Sequence, residues 1–128
     1  MRKRRLAAAT ACAVLLIGVG VALAPDGWTA GRAGKLQQAR VKAAKKVYEL
    51  QLARFGAGAV QAEEVYRWSA RWRAAAGSEA ATKAHLTRMK QLQARVKAQH
   101  KTGRATAVDL TAAEYYLLEA RVWAAGGS

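Results

Sequence analysis

Apolar residues recur at every third or fourth position along most of the chain beyond residue 34, which is the spacing of one face of an α-helix. A first helix is predicted from about Lys35 to Phe55, and a second helix begins near Ala62. Ser78 can cap a third helix that ends near Lys101, because a serine hydroxyl accepts a hydrogen bond from an unpaired backbone N–H. The predicted core stripes of the four helices are Leu36, Ala39, Ala43, Val47, Leu50 and Ala53; Val65, Trp68, Trp72 and Ala75; Leu86, Met89, Leu92 and Val96; and Leu110, Ala113, Leu117, Ala120 and Ala124.

The last of these helices has its own start signal, and the chain shows an internal repeat there. Thr106 is followed three residues later by Asp109, which resembles a capping box with Asp in place of Glu. A shift of 45 positions lays Gly58 on Gly103, so that each half consists of a helix, a glycine turn and a second helix. The halves are either two hairpins that descend from one unit or two helix starts that converged.

These signals predict an all-α fold, since no run of alternating β-branched residues indicates a strand. The helical domain is predicted over residues 35–125, as two related hairpins, 35–76 and 78–125, whose three to four helices form a small bundle or an antiparallel coiled coil. Residues 25–34, with glycine at 27, 31 and 34, are predicted to be a linker. Residues 126–128 are a tail.

Residues 1–24 have the pattern of a bacterial export signal. Four consecutive cations, Arg2 to Arg5, precede an uncharged run of 19 residues that begins at Leu6. Pro25 obstructs cleavage directly before it, which leaves cleavage after Ala22 as one alternative. Retention is the other, because the run is close to the ~20 residues that span a bilayer. The protein is therefore predicted to be exported, and either periplasmic or anchored to the inner membrane by residues 6–24.

Charge is the strongest compositional bias of the rest of the chain. Beyond the leader, 18 Lys and Arg face eight Asp and Glu, a surplus of ten positive charges in about 100 residues. Such a surplus attracts polyanions, and for an exported protein these are an anionic membrane surface or an acidic envelope polymer rather than nucleic acid. Cys12 is the sole cysteine and lies in the leader, so the helical domain has neither a disulfide nor a thiolate metal site.

Catalytic chemistry has little support in the residues. His85 and His100 are too far apart to act as paired ligands on one helix face, and solvent-facing positions are predicted for both. Glu63 and Glu64 diverge by about 100° on a helix and suit the helix start better than acid–base work. No catalytic, cofactor-binding or metal-binding residue is predicted, and the protein is expected not to be an enzyme.

The aromatic and basic residues are the candidates for an interaction surface. Two tryptophans one helical turn apart are either the core of the bundle, which the pattern favours, or an exposed platform on which arginines could stack with a partner. Tyr115 and Tyr116 point to different faces, so one is expected to be packed and the other partly exposed. The candidate surface consists of Trp68, Trp72, Arg67, Arg71, Lys42, Lys45, Lys46, Arg88, Arg95 and Lys97.

Two stretches carry a family resemblance. The pattern has three parts in order: a helix that ends in glycine, a short polar link, and an acidic–aliphatic pair that opens the next helix. It occurs at residues 55–65 and more clearly at residues 96–113, which contain Gly103, Asp109 and Leu110. The pattern resembles the helical hairpins of TolC-type outer-membrane efflux proteins and implies antiparallel packing in an envelope assembly. The chain is far shorter than that family and has no barrel strands, so a pore is not implied. With residues 63–69 and 113–116, the whole chain also resembles small exported bacterial helical proteins of unassigned function.

Together these features predict a non-enzymatic envelope protein with a structural or accessory role. Its expected partner is another envelope protein or a second copy, bound through helix–helix contacts. The alternative is a basic module that binds a polyanion, such as an anionic lipid surface or an envelope polymer.

Overall fold

The computed structural model describes residues 24–127, with side chains from Gly31 onward, and every regular element within that range is helical. The four helices are α1 (Ala24–Gly56), α2 (Ala62–Ala76), α3 (Glu79–Lys101) and α4 (Ala107–Ala124). The all-α prediction is confirmed, while the leader lies outside the described residues. No helix of the described range combines the length and the apolar character needed to cross a bilayer.

The predicted linker over residues 25–34 is wrong, because these residues lie within α1. A glycine within a helix costs about 1 kcal/mol relative to alanine, but it does not prevent the helix from forming. No atom lies within 4 Å of where a Cβ would stand at Gly31 or Gly34, so neither position needs glycine for lack of space. Pro25 also lies within the helix as described. The glycines of this segment therefore do not interrupt the helix.

By its internal contacts the chain divides into two units, Met1–Gln38 and Ala39–Ser128. In the first unit, the side chains described, from Gly31 to Gln38, are all exposed. In the second unit, α3 packs against α4 and against α2, and α2 also touches α4. The part of α1 in this unit joins them through Tyr48, whose ring contacts that of Trp72 on α2.

The two glycine turns have the same backbone structure 45 residues apart. Gly58 and Gly103 have φ angles of 79° and 76°, in the left-handed region where glycine avoids a steric penalty. The N–H of Ala59 donates to the carbonyl of Arg54, and the N–H of Arg104 donates to that of Gln99, both at 2.8 Å. Each turn is thus the same helix C-terminal motif. Residues of both turns line one cleft, so the turns lie at the same end of the second unit.

The helix starts that the sequence predicts are present. The Ser78 hydroxyl accepts the Ala81 N–H at 3.0 Å, and Thr106 and Asp109 form a complete capping box. In that box the backbone N–H of Thr106 donates to the carboxylate at 2.8 Å, and this hydrogen bond holds the pKa of Asp109 below its usual range. The first residues of α3 and α4 are therefore fixed by local hydrogen bonds.

The core uses the predicted faces of α3 and α4 but a different face of α1. Leu36 and Leu50, predicted for the core, are 67% and 54% exposed. Tyr48 and Phe55 are buried instead. The two aromatic side chains, seven residues apart, remove more apolar surface from water than the two leucines would, which favours turning the face of Tyr48 and Phe55 inward. The core cluster consists of Tyr48, Phe55, Val65, Met89, Leu92, Val96, Ala113, Leu117 and Ala120.

Candidate functional site

The residues predicted as an interaction surface lie in different surroundings. On α2, Arg67 forms exposed ion pairs with Glu63 and Glu64 at 2.9 and 3.0 Å. Arg71 lies over the ring of Trp68, with its guanidinium carbon 4.7 Å from the ring centroid. Four more of the predicted residues are exposed to solvent, Lys42 and Lys46 of α1 and Arg95 and Lys97 of α3.

Trp72, Lys45 and Arg88, by contrast, come together with Tyr48 in one cluster, which we call the cation–aromatic cluster. The Arg88 guanidinium carbon lies 4.1 Å from the Trp72 ring centroid and 5.3 Å from that of Tyr48. The Lys45 ammonium is 6.0 Å from the same tryptophan ring. Trp68 and Trp72 are therefore half-buried at the edge of the core, and arginines of the protein itself already cover a face of each ring.

Arg88 also belongs to a buried polar network with Ser69 and His85. Both of these residues have 0% of their surface exposed, which corrects the predicted solvent-facing position of His85. Arg88 Nε donates to Ser69 Oγ at 2.6 Å, and Ser69 Oγ lies 2.8 Å from His85 Nδ1. The guanidinium can only donate, so the serine oxygen accepts from Arg88, while the direction of the Ser69–His85 hydrogen bond follows the tautomer of the imidazole. The hydroxyl can donate to Nδ1 only when the imidazole is neutral and carries its proton on Nε2.

The surroundings of His85 hold it in that neutral form. Burial lowers the pKa of His85 to about 4, and the positive charges of Arg88 and Arg73 act in the same direction. Burial also lowers the pKa of Arg88. The His85 Nε2 atom is buried and has no hydrogen-bond partner within the described residues. The network is thus a buried neutral histidine next to positive charge.

A serine hydrogen-bonded to a histidine is also the arrangement of an activated nucleophile. Here neither Ser69 nor His85 reaches the surface, so no substrate atom can approach the hydroxyl while the helices are packed. The third group on the serine is a guanidinium, which withdraws electron density from the oxygen instead of activating it. Such a geometry fixes the packing of α2 on α3. Residues 24–127 also contain no group of three His, Cys, Asp or Glu side chains placed to hold a metal ion.

Helix α4 has a second apolar face, which was not predicted from the sequence. Val108, Tyr115, Leu118 and Val122 are 77%, 59%, 56% and 56% exposed. With Thr111 they are spaced three, four, three and four residues apart, which is one continuous helical stripe. We call these five residues the outer face of α4. The buried residues of the helix, such as Leu117, lie on the opposite side, so α4 is apolar on two faces.

The two tyrosines of α4 show this division side by side. Tyr116 stacks on Tyr66 of α2, with ring centroids 4.0 Å apart and an interplanar angle of 9°. The Tyr66 hydroxyl donates to Glu119, and burial together with that hydrogen bond raises the pKa of Tyr66. Tyr115 is exposed, which confirms the expectation that one of the pair is packed. The signal for the outer face was present in the sequence as a second stripe of the same spacing.

No protein-family model, no curated protein and no solved structure matches this chain.

Proposed function

We propose that the protein is a non-enzymatic, exported component of the bacterial envelope that acts through helix–helix contacts made by the outer face of α4. The observation that carries the proposal is the exposure of four large apolar side chains in one helical stripe, opposite the face that packs into the bundle. A helix that is apolar on opposite sides is typical of a helix buried on both sides. Contiguous exposed apolar surface of this kind marks interaction sites.

The location in the envelope rests on the leader. Arg2 to Arg5 and the apolar run after them direct the chain to the membrane, and residues 6–24 serve either as a cleaved signal or as an anchor. The resemblance of residues 55–65 and 96–113 to TolC-type hairpins supports a role in which helices pack against other helices. In this proposal the hairpins are a scaffold, and α4 presents the contact surface.

Photo-crosslinking in the exporting bacterium tests the proposal. With p-benzoylphenylalanine in place of Leu118 we expect a defined covalent adduct, since this side chain lies in the middle of the outer face. The matched control places the same residue at Lys90, an exposed position on α3. Mass spectrometry of the adduct identifies either an envelope protein or a second copy. If position 118 gives no adduct beyond those formed at position 90, the proposal is wrong.

A second candidate function, binding to a polyanion, is favoured by the distribution of charge. Four of the acidic side chains, Glu49, Glu63, Glu64 and Glu79, are already engaged in ion pairs with neighbours on their own helices. The exposed lysines on α1 and α3 therefore dominate the surrounding field.

Co-sedimentation of the protein with anionic lipid vesicles tests this candidate. We expect binding that weakens steeply between 50 and about 200 mM salt, because screening removes the attraction of exposed charges. Replacement of both Lys42 and Lys46 by Glu is expected to weaken binding severalfold, whereas the charge-neutral pair Gln37→Asn and Gln38→Asn leaves it unchanged. Binding that is insensitive to salt would rule out this function.

A further inference from the structure

We infer that the partner of the outer face of α4 is the outer face of α4 in a second copy of the chain, with the two helices antiparallel. The inference rests on the proposed function and names its partner. A homodimer with a two-fold axis uses one surface patch twice, so that patch has to complement itself. The charges that flank the outer face of α4 meet this condition in one orientation and not in the other.

The spacing of the outer face assigns heptad positions along α4. Val108, Tyr115 and Val122 take the first position of successive heptads, and Thr111 and Leu118 take the fourth. In an antiparallel pair each first position lies opposite a fourth position of the other helix. Tyr115 of each copy would therefore pack against Leu118 of the other, on both sides of the two-fold axis.

Two exposed charges flank this apolar seam on one side, Glu114 and Arg121. They precede Tyr115 and Val122 by one residue each, so in the antiparallel pair Glu114 of one copy lies opposite Arg121 of the other. The symmetry repeats the pair, which gives two reciprocal attractions. Within the described residues, neither side chain forms an ion pair or a hydrogen bond that would compete.

A parallel pair has the opposite consequence. Glu114 directly precedes Tyr115, a first position, and Glu119 directly follows Leu118, a fourth position. In a parallel pair these two flanking positions face each other across the seam, so Glu114 of one copy lies opposite Glu119 of the other. Like charges at these positions oppose association. The Glu119 carboxylate also accepts a hydrogen bond from the Tyr66 hydroxyl of its own chain. Moving the carboxylate away from Glu114 of the other copy would break that hydrogen bond. The charge pattern therefore selects the antiparallel pair.

The size of the seam sets the expected strength. The outer face of α4 extends over 15 residues, from Val108 to Val122, or about 21 Å of helix at 1.5 Å per residue. An interface of that length is small, and small interfaces belong to weak and reversible complexes. Dimerisation is thus expected at protein concentrations on the order of tens of micromolar and above.

Charge reversal with sedimentation equilibrium tests the inference. The exported full chain is measured in density-matched non-ionic detergent, so that a retained leader does not cause aggregation. The unmodified chain is expected to be in a monomer–dimer equilibrium. Glu114→Arg is expected to weaken the dimer about tenfold, because two attractive pairs become two repulsive ones, and Arg121→Glu is expected to have the same effect. The double variant E114R/R121E restores the pairs with reversed polarity and is expected to regain the original affinity.

Lys97→Glu is the charge control, because it changes the net charge on a different helix and is expected to leave the dimer intact. Circular dichroism melts of all variants verify that these exposed substitutions leave the monomer folded. A chain that stays monomeric at 200 µM, or a double variant no stronger than either single variant, overturns the inference. Dimerisation that is unaffected by Glu114→Arg also overturns it, since the copies would then associate through a different surface. In any of these cases, a crosslink from position 118 to another envelope protein would still support the proposed function. Only the inference that the partner is a second copy would then be wrong.

Discussion

Lowering the pH from 7.5 to 4 is expected to reduce the free energy of unfolding by about 3 kcal/mol through His85 alone. The pKa of this histidine is about 4 in the folded protein, compared with 6.5 for an unperturbed imidazole. The unfolded chain therefore binds the proton first. The stabilising effect of His85 is fully present above pH 6.5 and is lost as the pH falls from 6.5 to 4.

The physical reason lies in the network of Ser69 and Arg88. A second proton on the His85 ring would add a positive charge in a buried site, where Ser69 already links the ring to the Arg88 guanidinium. Burial and the neighbouring charges both oppose that state. Acid is thus expected to loosen the packing of α2 on α3 before it affects the hairpin of α3 and α4.

Urea unfolding at a series of pH values, with and without His85→Gln, measures this effect. The amide of glutamine can accept the Ser69 proton and does not titrate, so the variant is expected to lose about 3 kcal/mol less than the unmodified chain between pH 7.5 and 4. His100→Gln is the matched control, since His100 is exposed and its removal leaves the buried histidine in place. Carboxylates titrate equally in all three proteins. Identical pH profiles for the His85 variant and the unmodified chain would show that this histidine is not buried neutral.

The second large effect is expected from two adjacent leucines of α4. Leu117→Ala is expected to destabilise the monomer by about 2–5 kcal/mol, because it removes a buried side chain and leaves a cavity between the helices. Leu118→Ala is expected to change monomer stability by less than about 0.5 kcal/mol, since its side chain is largely exposed. Both substitutions remove the same atoms from neighbouring positions of one helix. The difference between them isolates burial as the cause.

Denaturant unfolding at low protein concentration, where the chain is monomeric, gives the two free energies. Self-association measured at high protein concentration is expected to show the reverse order. Among the variants that stay folded, Leu118→Ala weakens the dimer more than Leu117→Ala does. If Leu118→Ala destabilises the monomer as much as Leu117→Ala does, the outer face of α4 is packed within the monomer in solution. The proposal that one face of α4 stabilises the monomer and the other binds a partner would then be wrong.

Much of the fold follows from local signals along the chain. The ends of α2, α3 and α4 lie where glycine, Ser78 and Thr106 predict them, because a left-handed turn or a cap depends on residues within one helical turn of itself. The stripe of α3 that contains Met89 and Val96 is buried as predicted. The helical conformation of residues 25–34 was not predicted, because glycine weakens a helix without ending it.

The apolar spacing along α4 was sufficient to predict its buried stripe, but only the packed structure shows that a second stripe, from Val108 to Val122, stays exposed. The same holds for α1, where packing selected Tyr48 over Leu50, and for His85, whose burial depends on Ser69 sixteen residues earlier in the chain. Periodicity records the separation of residues on one helix, which is a local property. The choice of the inward face depends on the total area buried against the other helices, and that sum exists only once they pack together.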